Sequence, residues 1–163
     1  MSIPRLNGII KALESGKNAF VCFQPGDNAS AQAVATEKYD GVMFEMEHGV
    51  YDIKALRDCL QSMLNRQQIV ASGTLAPAVT PMVRIPPNGA EMNQWIAKQV
   101  LDQGVYGVLW PHISTVEEAH NAVASCRYAR PATAPRYQPA GQRGDSPTTA
   151  ARYWGISAQE YYD

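Results

Sequence analysis

The sequence is short of the features that mark several protein classes. It has no run approaching the roughly 20 apolar residues needed to span a bilayer. Its N-terminus, MSIPRLNGIIKALESGK, has no long apolar stretch of the kind a secretory signal carries. It also lacks an excess of either charge, with 14 Lys and Arg against 15 Asp and Glu for a net charge of −1. No basic run interleaved with aromatics occurs, so nucleic acid is not an expected partner. Cysteine is scarce: Cys22, Cys59 and Cys126 are odd in number, widely spaced, and form no metal or redox motif. They suit small buried hydrophobes in a reducing compartment. The chain reads as cytosolic, without a membrane span, and its 163 residues suffice for one sizeable core.

What is present is an alternation of short apolar runs with amphipathic segments. Residues 18–23 (NAFVCF) form the first β-like run, and an Ala-rich helical stretch from about Asn28 to Lys38 follows a Pro-Gly-Asp break. Residues 41–47 (GVMFEME) form the second run. Asp52 can then cap a helix whose Ile53, Leu56, Leu60, Met63 and Leu64 recur at helical spacing. A flexible connection at 71–80 leads to a third strand at 81–85 (PMVRI). Asn88 and Glu91 have capping-box spacing ahead of a helix holding Met92, Ile96 and Val100, which Gly104 closes. A fourth strand covers 105–110 (VYGVLW). Ser114 and Glu117 repeat the capping-box spacing before a helix with Val116, Ala119, Val123 and Cys126 on one face. Four strands alternating with helices imply an α/β fold with parallel pairing and right-handed crossovers. Residues 129–147, rich in Pro, Ala, Gly and Arg, read as a long loop before two short helical pieces near 148–154 and 157–162.

In parallel α/β folds function gathers at the C-terminal ends of the strands. Here those ends are polar. The second strand finishes Glu45-Met46-Glu47-His48, the third carries Arg84 before Pro86-Pro87, and the fourth ends Trp110-Pro111-His112. A histidine moves a proton near neutral pH, and a carboxylate orients it. An arginine clamps a carboxylate or enolate oxygen and stabilises developing negative charge. The trio points to proton transfer and C–C bond chemistry on a small keto acid. Each has a plainer alternative: His48 with Glu45 or Glu47 as a surface pair, Arg84 as one member of an ion pair, His112 as an unpartnered strand end. His120 reads as a solvated helix residue, and Tyr128, Tyr153, Tyr161 and Tyr162 as packing.

The segments FEMEHG (44–49), PMVRIPP (81–87), GVYGVLWPHISTVEEAHNAV (104–123) and PAGQRGDSPTTAARYWG (139–155) resemble the HpcH/HpaI aldolase family, class II pyruvate aldolases, and within it the macrophomate synthase branch. The resemblance runs over nearly the whole chain. It implies a TIM (β/α)₈ barrel, with residues 1–163 as the N-terminal part holding about the first four β/α units. It further implies a carbon–carbon lyase, of aldolase or oxaloacetate decarboxylase type, assembled as a homo-oligomer (a hexamer in the family). Its substrate is pyruvate or oxaloacetate, and a divalent metal, Mg²⁺ or Mn²⁺/Co²⁺, stabilises the enolate.

Matched position by position, the resemblance makes His48 the proton-transfer histidine, and Arg84 the arginine on the pyruvyl oxygen. Tyr153 becomes a substrate-contacting tyrosine, and His112 a further substrate-binding candidate. Glu45 falls where many members have an aspartate partnering the histidine, and its extra methylene is a departure. The family's metal ligands, a glutamate and an aspartate after the fifth and sixth strands, match nothing in this chain and are expected beyond residue 163. The expectations are a part of a longer product, the favoured reading, a half-barrel completed by another chain, or a catalytically silent barrel acting as a binding or assembly subunit. The chain by itself is expected to be inactive.

Overall fold

The computed structural model describes residues 5–87 and 94–162. Its elements, in chain order, begin with α1 (Gly8–Glu14), β1 (Val21–Pro25), α2 (Asn28–Val34), β2 (Gly41–Glu45), α3 (Ile53–Ser62) and α4 (Arg66–Ser72). They continue with β3 (Thr80–Arg84), α5 (Gln94–Gln103), β4 (Val108–Leu109), α6 (Val116–Cys126), α7 (Thr148–Trp154) and α8 (Ala158–Tyr162). The four strands form one parallel sheet in the order β1-β2-β3-β4. In-order parallel strands joined by helices are the repeating unit of a (β/α)₈ barrel, and four such units are present.

Register sorts the side chains onto two faces, because residues paired across parallel strands point the same way. Val42, Phe44 and Val83 point outward and are fully buried beneath the helices, with Leu56, Leu60, Val100 and Val79. The opposite, concave face carries Phe23, Met43 and Met82 in one row and Glu45 beside Arg84 in the next. At β1 this face is open: Val21 and Phe23 are 38% and 51% exposed. Among the described residues no helix is long and apolar enough to cross a membrane.

Several sequence expectations shift. The first strand runs two residues further, through Pro25, and the second stops at Glu45, so Met46 and Glu47 already belong to the loop after the strand. The fourth strand is confined to Val108–Leu109, which pairs with Val83–Arg84 of β3. The helix after β1 ends at Val34 rather than near Lys38. Helix α4 has no counterpart in the sequence reading. Its RQQIVAS shows no apolar period, yet Asn65 caps it through Gln68 N–H and Gly73 ends it at φ 66°. The capping box of α6 is formed by Thr115 and Glu118, one residue later than expected. The face expected to be buried is also displaced. Val116 is 75% exposed, while Asn121, Ala122, Ala124 and Ser125 pack inward, small side chains letting α6 approach α5. The Asn88–Glu91 capping box and Met92 lie outside the described residues.

The N-terminal end of the sheet is closed by α1. Asn7 caps α1, accepting from Ile10 N–H at 3.1 Å, and its amide donates to the Tyr106 carbonyl ahead of β4 at 3.1 Å. Gly8 N–H donates to Thr80 Oγ1 at 2.8 Å. One side chain thus ties the first helix to the fourth strand. Asn7→Ala removes a helix cap and strands a buried carbonyl, and should lower stability by about 1–3 kcal/mol in urea unfolding. A change below about 0.5 kcal/mol would show that the bridge contributes nothing beyond ordinary surface contacts.

Candidate active site

Arg84 is the organising residue. It ends β3 in register with Glu45 at the end of β2, so its guanidinium emerges on the concave face directly beside that carboxylate. Arg84 Nη2 donates to Glu45 Oε2, and Nη1 lies 3.0 Å from Glu47 Oε2. The guanidinium also lies over the Phe23 ring, 4.7 Å from its centroid, a cation–π contact from β1. Its Nε–H is buried and finds no acceptor among the described residues. The hydrogen bond to Glu45 holds the Arg84 pKa above its ordinary value, so it stays charged.

Glu45 accepts from three donors, Arg84 among them. Its Oε1 takes the backbone N–H of Glu47 at 2.7 Å and of His48 at 3.1 Å, folding the β2–α3 loop back on itself. Burial, the largest single influence on its pKa, acts upward. The Arg84 hydrogen bond, the two backbone donors and the Arg84 charge together outweigh it and hold Glu45 below the usual glutamate range.

The carboxylate that meets the histidines is Glu47 rather than Glu45. Its side chain is only 4% exposed. Oε1 lies 3.0 Å from His112 Nε2, and Oε2 lies 3.6 Å from His48 Nε2 and 3.0 Å from Arg84. The expectation that Glu45 orients His48 is therefore corrected: Glu45 bonds the His48 backbone, and its carboxylate has no contact with the ring. Glu47 is the member that sequence reasoning named only as a surface partner of His48. The period of two in Glu45-Met46-Glu47, which sends Met46 into the core and both glutamates the other way, was its available signal.

His112 reaches Glu47 from a left-handed backbone at φ 58°, an uncommon conformation for a residue with a Cβ. Strain of this kind, of order 1–3 kcal/mol, collects where a side chain must be aimed. Both imidazoles are otherwise exposed. Beside His48 a cavity of about 670 Å³ opens between the β1–α2 and β2–α3 loops, with Phe23, Glu45, His48 and Val50 among its walls.

Tyr153 does not join this group, and its expected substrate contact is corrected. It is 8% exposed in the core, packed where a Cβ on Gly104 would come within 2.7 Å of its ring. Gly104 precedes β4, so Tyr153 stands at the N-terminal end of the sheet, opposite Arg84. There Tyr106 stacks on Trp154 at 4.2 Å, and Trp154 Nε1 donates to the Gly104 carbonyl. Burial pushes the Tyr153 hydroxyl pKa up. The tyrosine is a packing residue, as its composition context alone suggested.

No group of three His, Cys, Asp or Glu among the described residues could hold a metal ion. The two carboxylates on the rim are already engaged by Arg84 and the histidines. The donor set present does not make a metal cradle.

The profile of the HpcH/HpaI aldolase/citrate lyase family matches residues 19–138, and the chain belongs to that family. A pyruvate aldolase of Rhizobium etli is 32% identical over 157 residues, covering 95% of this chain and 52% of the relative. An HpcH/HpaI aldolase/citrate lyase family protein from Burkholderia cenocepacia J2315 superposes with a TM-score of 0.69 at 24% identity, over 94% of this chain and 56% of that one. Macrophomate synthase superposes with a TM-score of 0.57 at 21% identity, over 91% and 49%. At these identities the two structures speak for the shared fold. The chain spans about half the length of the relatives it matches.

The depressed Glu45 pKa has a measurable consequence. Because folding lowers it, Glu45 contributes stability that is present above the unfolded glutamate value of about 4.3 and is lost as pH falls through the lower folded value. Glu45→Gln should therefore flatten the acid limb of a pH series of urea unfolding curves. An acid limb as steep as that of the parent protein would place the linkage elsewhere.

Proposed function

We propose that this chain carries the proton-transfer and oxyanion-binding groups of an aldolase or oxaloacetate-decarboxylating lyase acting on a small keto acid. The observation that carries the reading is the convergence of Arg84, Glu47, His48 and His112 at the C-terminal ends of β2–β4, in a chain of the HpcH/HpaI family. Arg84, held by two carboxylates and with Nε–H unpaired, is oriented to meet an enolate or carboxylate oxygen as negative charge develops there. His48, exposed beside the cavity, gives or takes the proton at carbon or at the acceptor oxygen. His112, on the other side of Glu47, is the second imidazole a keto acid can meet.

Charge balance sharpens this. With neutral imidazoles, Glu45, Glu47 and Arg84 sum to −1, so an anionic keto acid needs more positive charge than the cluster supplies. A divalent cation meets that need, with Mg²⁺ the first choice of the family resemblance and Mn²⁺ or Co²⁺ the others. No set of ligands for it is found among the described residues, and proton transfer and oxyanion binding are assigned to His48 and Arg84 alone. A cytosolic homo-oligomer completes the proposal. The second reading, a non-catalytic binding or assembly subunit, draws on the exposed concave face at Val21 and Phe23.

The test is a chimera joining residues 1–163 to the remaining part of the Rhizobium etli relative. Chelator-sensitive oxaloacetate decarboxylation supports the enzyme reading, and a folded chimera without turnover favours the subunit. In that chimera Arg84→Ala should lower kcat by about 100-fold or more as well as weaken binding; an effect confined to KM would remove Arg84 from the transition state. The 163-residue chain alone should decarboxylate oxaloacetate no faster than added Mg²⁺ does, and chelator-sensitive turnover by it would overturn that expectation.

A further inference from the structure

A second cavity lies at the end of the sheet where Trp154 packs, away from Arg84, between the loop after α6 and helix α8. It measures about 920 Å³, and Tyr128, Trp154 and Tyr161 give it aromatic walls. Four guanidinium groups, those of Arg127, Arg130, Arg136 and Arg143, also line it, and no aspartate or glutamate is among its walls. Two carboxylates bear on it from outside. Asp102 pairs with Arg143 at 3.0 Å, and Asp145 accepts from the Tyr162 hydroxyl. Four positive groups against two negative ones leave the cavity cationic.

Two of its walls hold donors that the fold does not satisfy. Arg143 is 4% exposed, and its Nη atoms reach Asp102 and the Tyr161 hydroxyl. Its buried Nε–H finds no acceptor among the described residues, and neither does the buried Tyr128 hydroxyl. Burial raises the Tyr128 pKa, so that hydroxyl keeps its proton at neutral pH. The two groups are neighbours, the Arg143 guanidinium lying 4.4 Å from the Tyr128 ring centroid. Buried donors without partners are costly and mark places where another molecule completes the bond. The loop carries a related tension. Arg127 Nη1 and Arg130 Nη2 donate to one carbonyl, that of Arg136, at 3.2 and 3.1 Å. Neither meets a carboxylate among the described residues, so two like charges stand together without a counter-ion. Arg136 itself holds a left-handed backbone at φ 53°.

We propose that this cavity is a binding site for a phosphate monoester carried on a planar aromatic ring, the chemistry of a nucleoside monophosphate. Guanidinium groups meet phosphate oxygens with forked, charge-assisted hydrogen bonds. The excess of two positive groups matches a dianion better than a single carboxylate. Arg143 Nε–H and Tyr128 O–H supply two donors already paid for by burial, and the Tyr128, Trp154 and Tyr161 rings reward burial and stacking of the base. At about 920 Å³ the cavity falls within the roughly 300–1,000 Å³ of small-molecule sites. It stands at the opposite end of the sheet from Arg84, so its ligand is a separate molecule from the keto acid, and the inference does not depend on the catalytic reading.

The test is titration calorimetry of the full 163-residue chain with adenosine 5′-monophosphate, adenosine, inorganic phosphate and benzoate. The monophosphate should bind at least about tenfold more tightly than each of the other three. Arg130→Glu, at an exposed position, should weaken it by about tenfold or more, while Arg57→Glu on α3 should leave it within about twofold. Tyr128→Phe should weaken it about fivefold without lowering the urea midpoint, because the hydroxyl that it removes makes no bond in the free protein. Adenosine binding as tightly as the monophosphate removes the phosphate from the inference, inorganic phosphate doing so removes the ring, and either overturns it. Benzoate matching the monophosphate overturns it in favour of a carboxylate. So does no binding of the monophosphate, equal losses from Arg57→Glu and Arg130→Glu, or a Tyr128→Phe chain that binds as the parent does. A folded chimera that no longer binds the monophosphate would assign the cavity to packing against further polypeptide and overturn the inference as well.

Discussion

A positive charge at the end of a central parallel strand is the constraint on which the rest of the rim depends. Arg84 sits where β3 is paired on both sides, and an unpaired guanidinium there would be costly to bury. The register of β2 answers it with Glu45, and the loop that follows brings Glu47 to the other nitrogen. Once Glu45 is turned toward Arg84, its second oxygen gathers the Glu47 and His48 backbone N–H groups. That turn presents Glu47 to the rim, and Glu47 in turn meets both histidines. Both His48 and His112 thus converge on a carboxylate that Arg84 also holds. The cluster sets orientation more than stability, since buried ion pairs often do little better than break even against desolvation.

A second arginine performs a similar task at the other side of the chain. Arg143 is 4% exposed, pairs with Asp102 at 3.0 Å, and lies against the Tyr128 and Tyr161 rings. Burial acts to lower its pKa, but Tyr161, Tyr128 and Asp102 outweigh that and keep it charged. Arg143 N–H also bonds the Arg127 carbonyl, and Arg127 Nη1 donates to the Gln138 carbonyl. The stretch 129–147 is therefore irregular but anchored, fastened to α5 and α6 by two guanidinium groups. It reads as a loop because its hydrogen bonds run to side chains and to distant backbone, which no periodicity reveals.

The same distinction explains what the sequence disclosed. The four strand–helix units were legible because Val42, Phe44, Val83, Leu56, Leu60 and Val100 are large apolar residues at strand and helix periods, and burial follows that pattern. The rim residues His48 and Arg84 were legible because polar groups at strand ends stand out against such runs. What escaped depends on small residues or on distance. Helix α4 is held by caps at Asn65 and Gly73, with no buried residue among RQQIVAS. The buried face of α6 is Asn121, Ala122, Ala124 and Ser125, which no hydrophobic count would select. Tyr153 was misplaced because a motif match fixes position along the chain and says nothing about which end of the barrel a returning helix reaches. Glu47 was passed over because its importance lies in three partners from three elements.

The concave face and the charged rim differ in how far their groups are covered among the described residues. Parallel sheets are ordinarily covered on both faces, and here the face holding Phe23 is open toward β1, with Val21 also exposed. Water in contact with that surface opposes an isolated sheet and favours association with further strands. The charged rim does not share that dependence. Its ion pairs link β2, β3 and the loop after β4, all within the described residues, and none requires a strand beyond them. Closing the barrel would therefore bury the apolar rows and lower the dielectric around a cluster whose geometry already exists. Charge–charge interactions of Arg84 would strengthen wherever solvent is removed from around it, while its partners Glu45 and Glu47 are already in place.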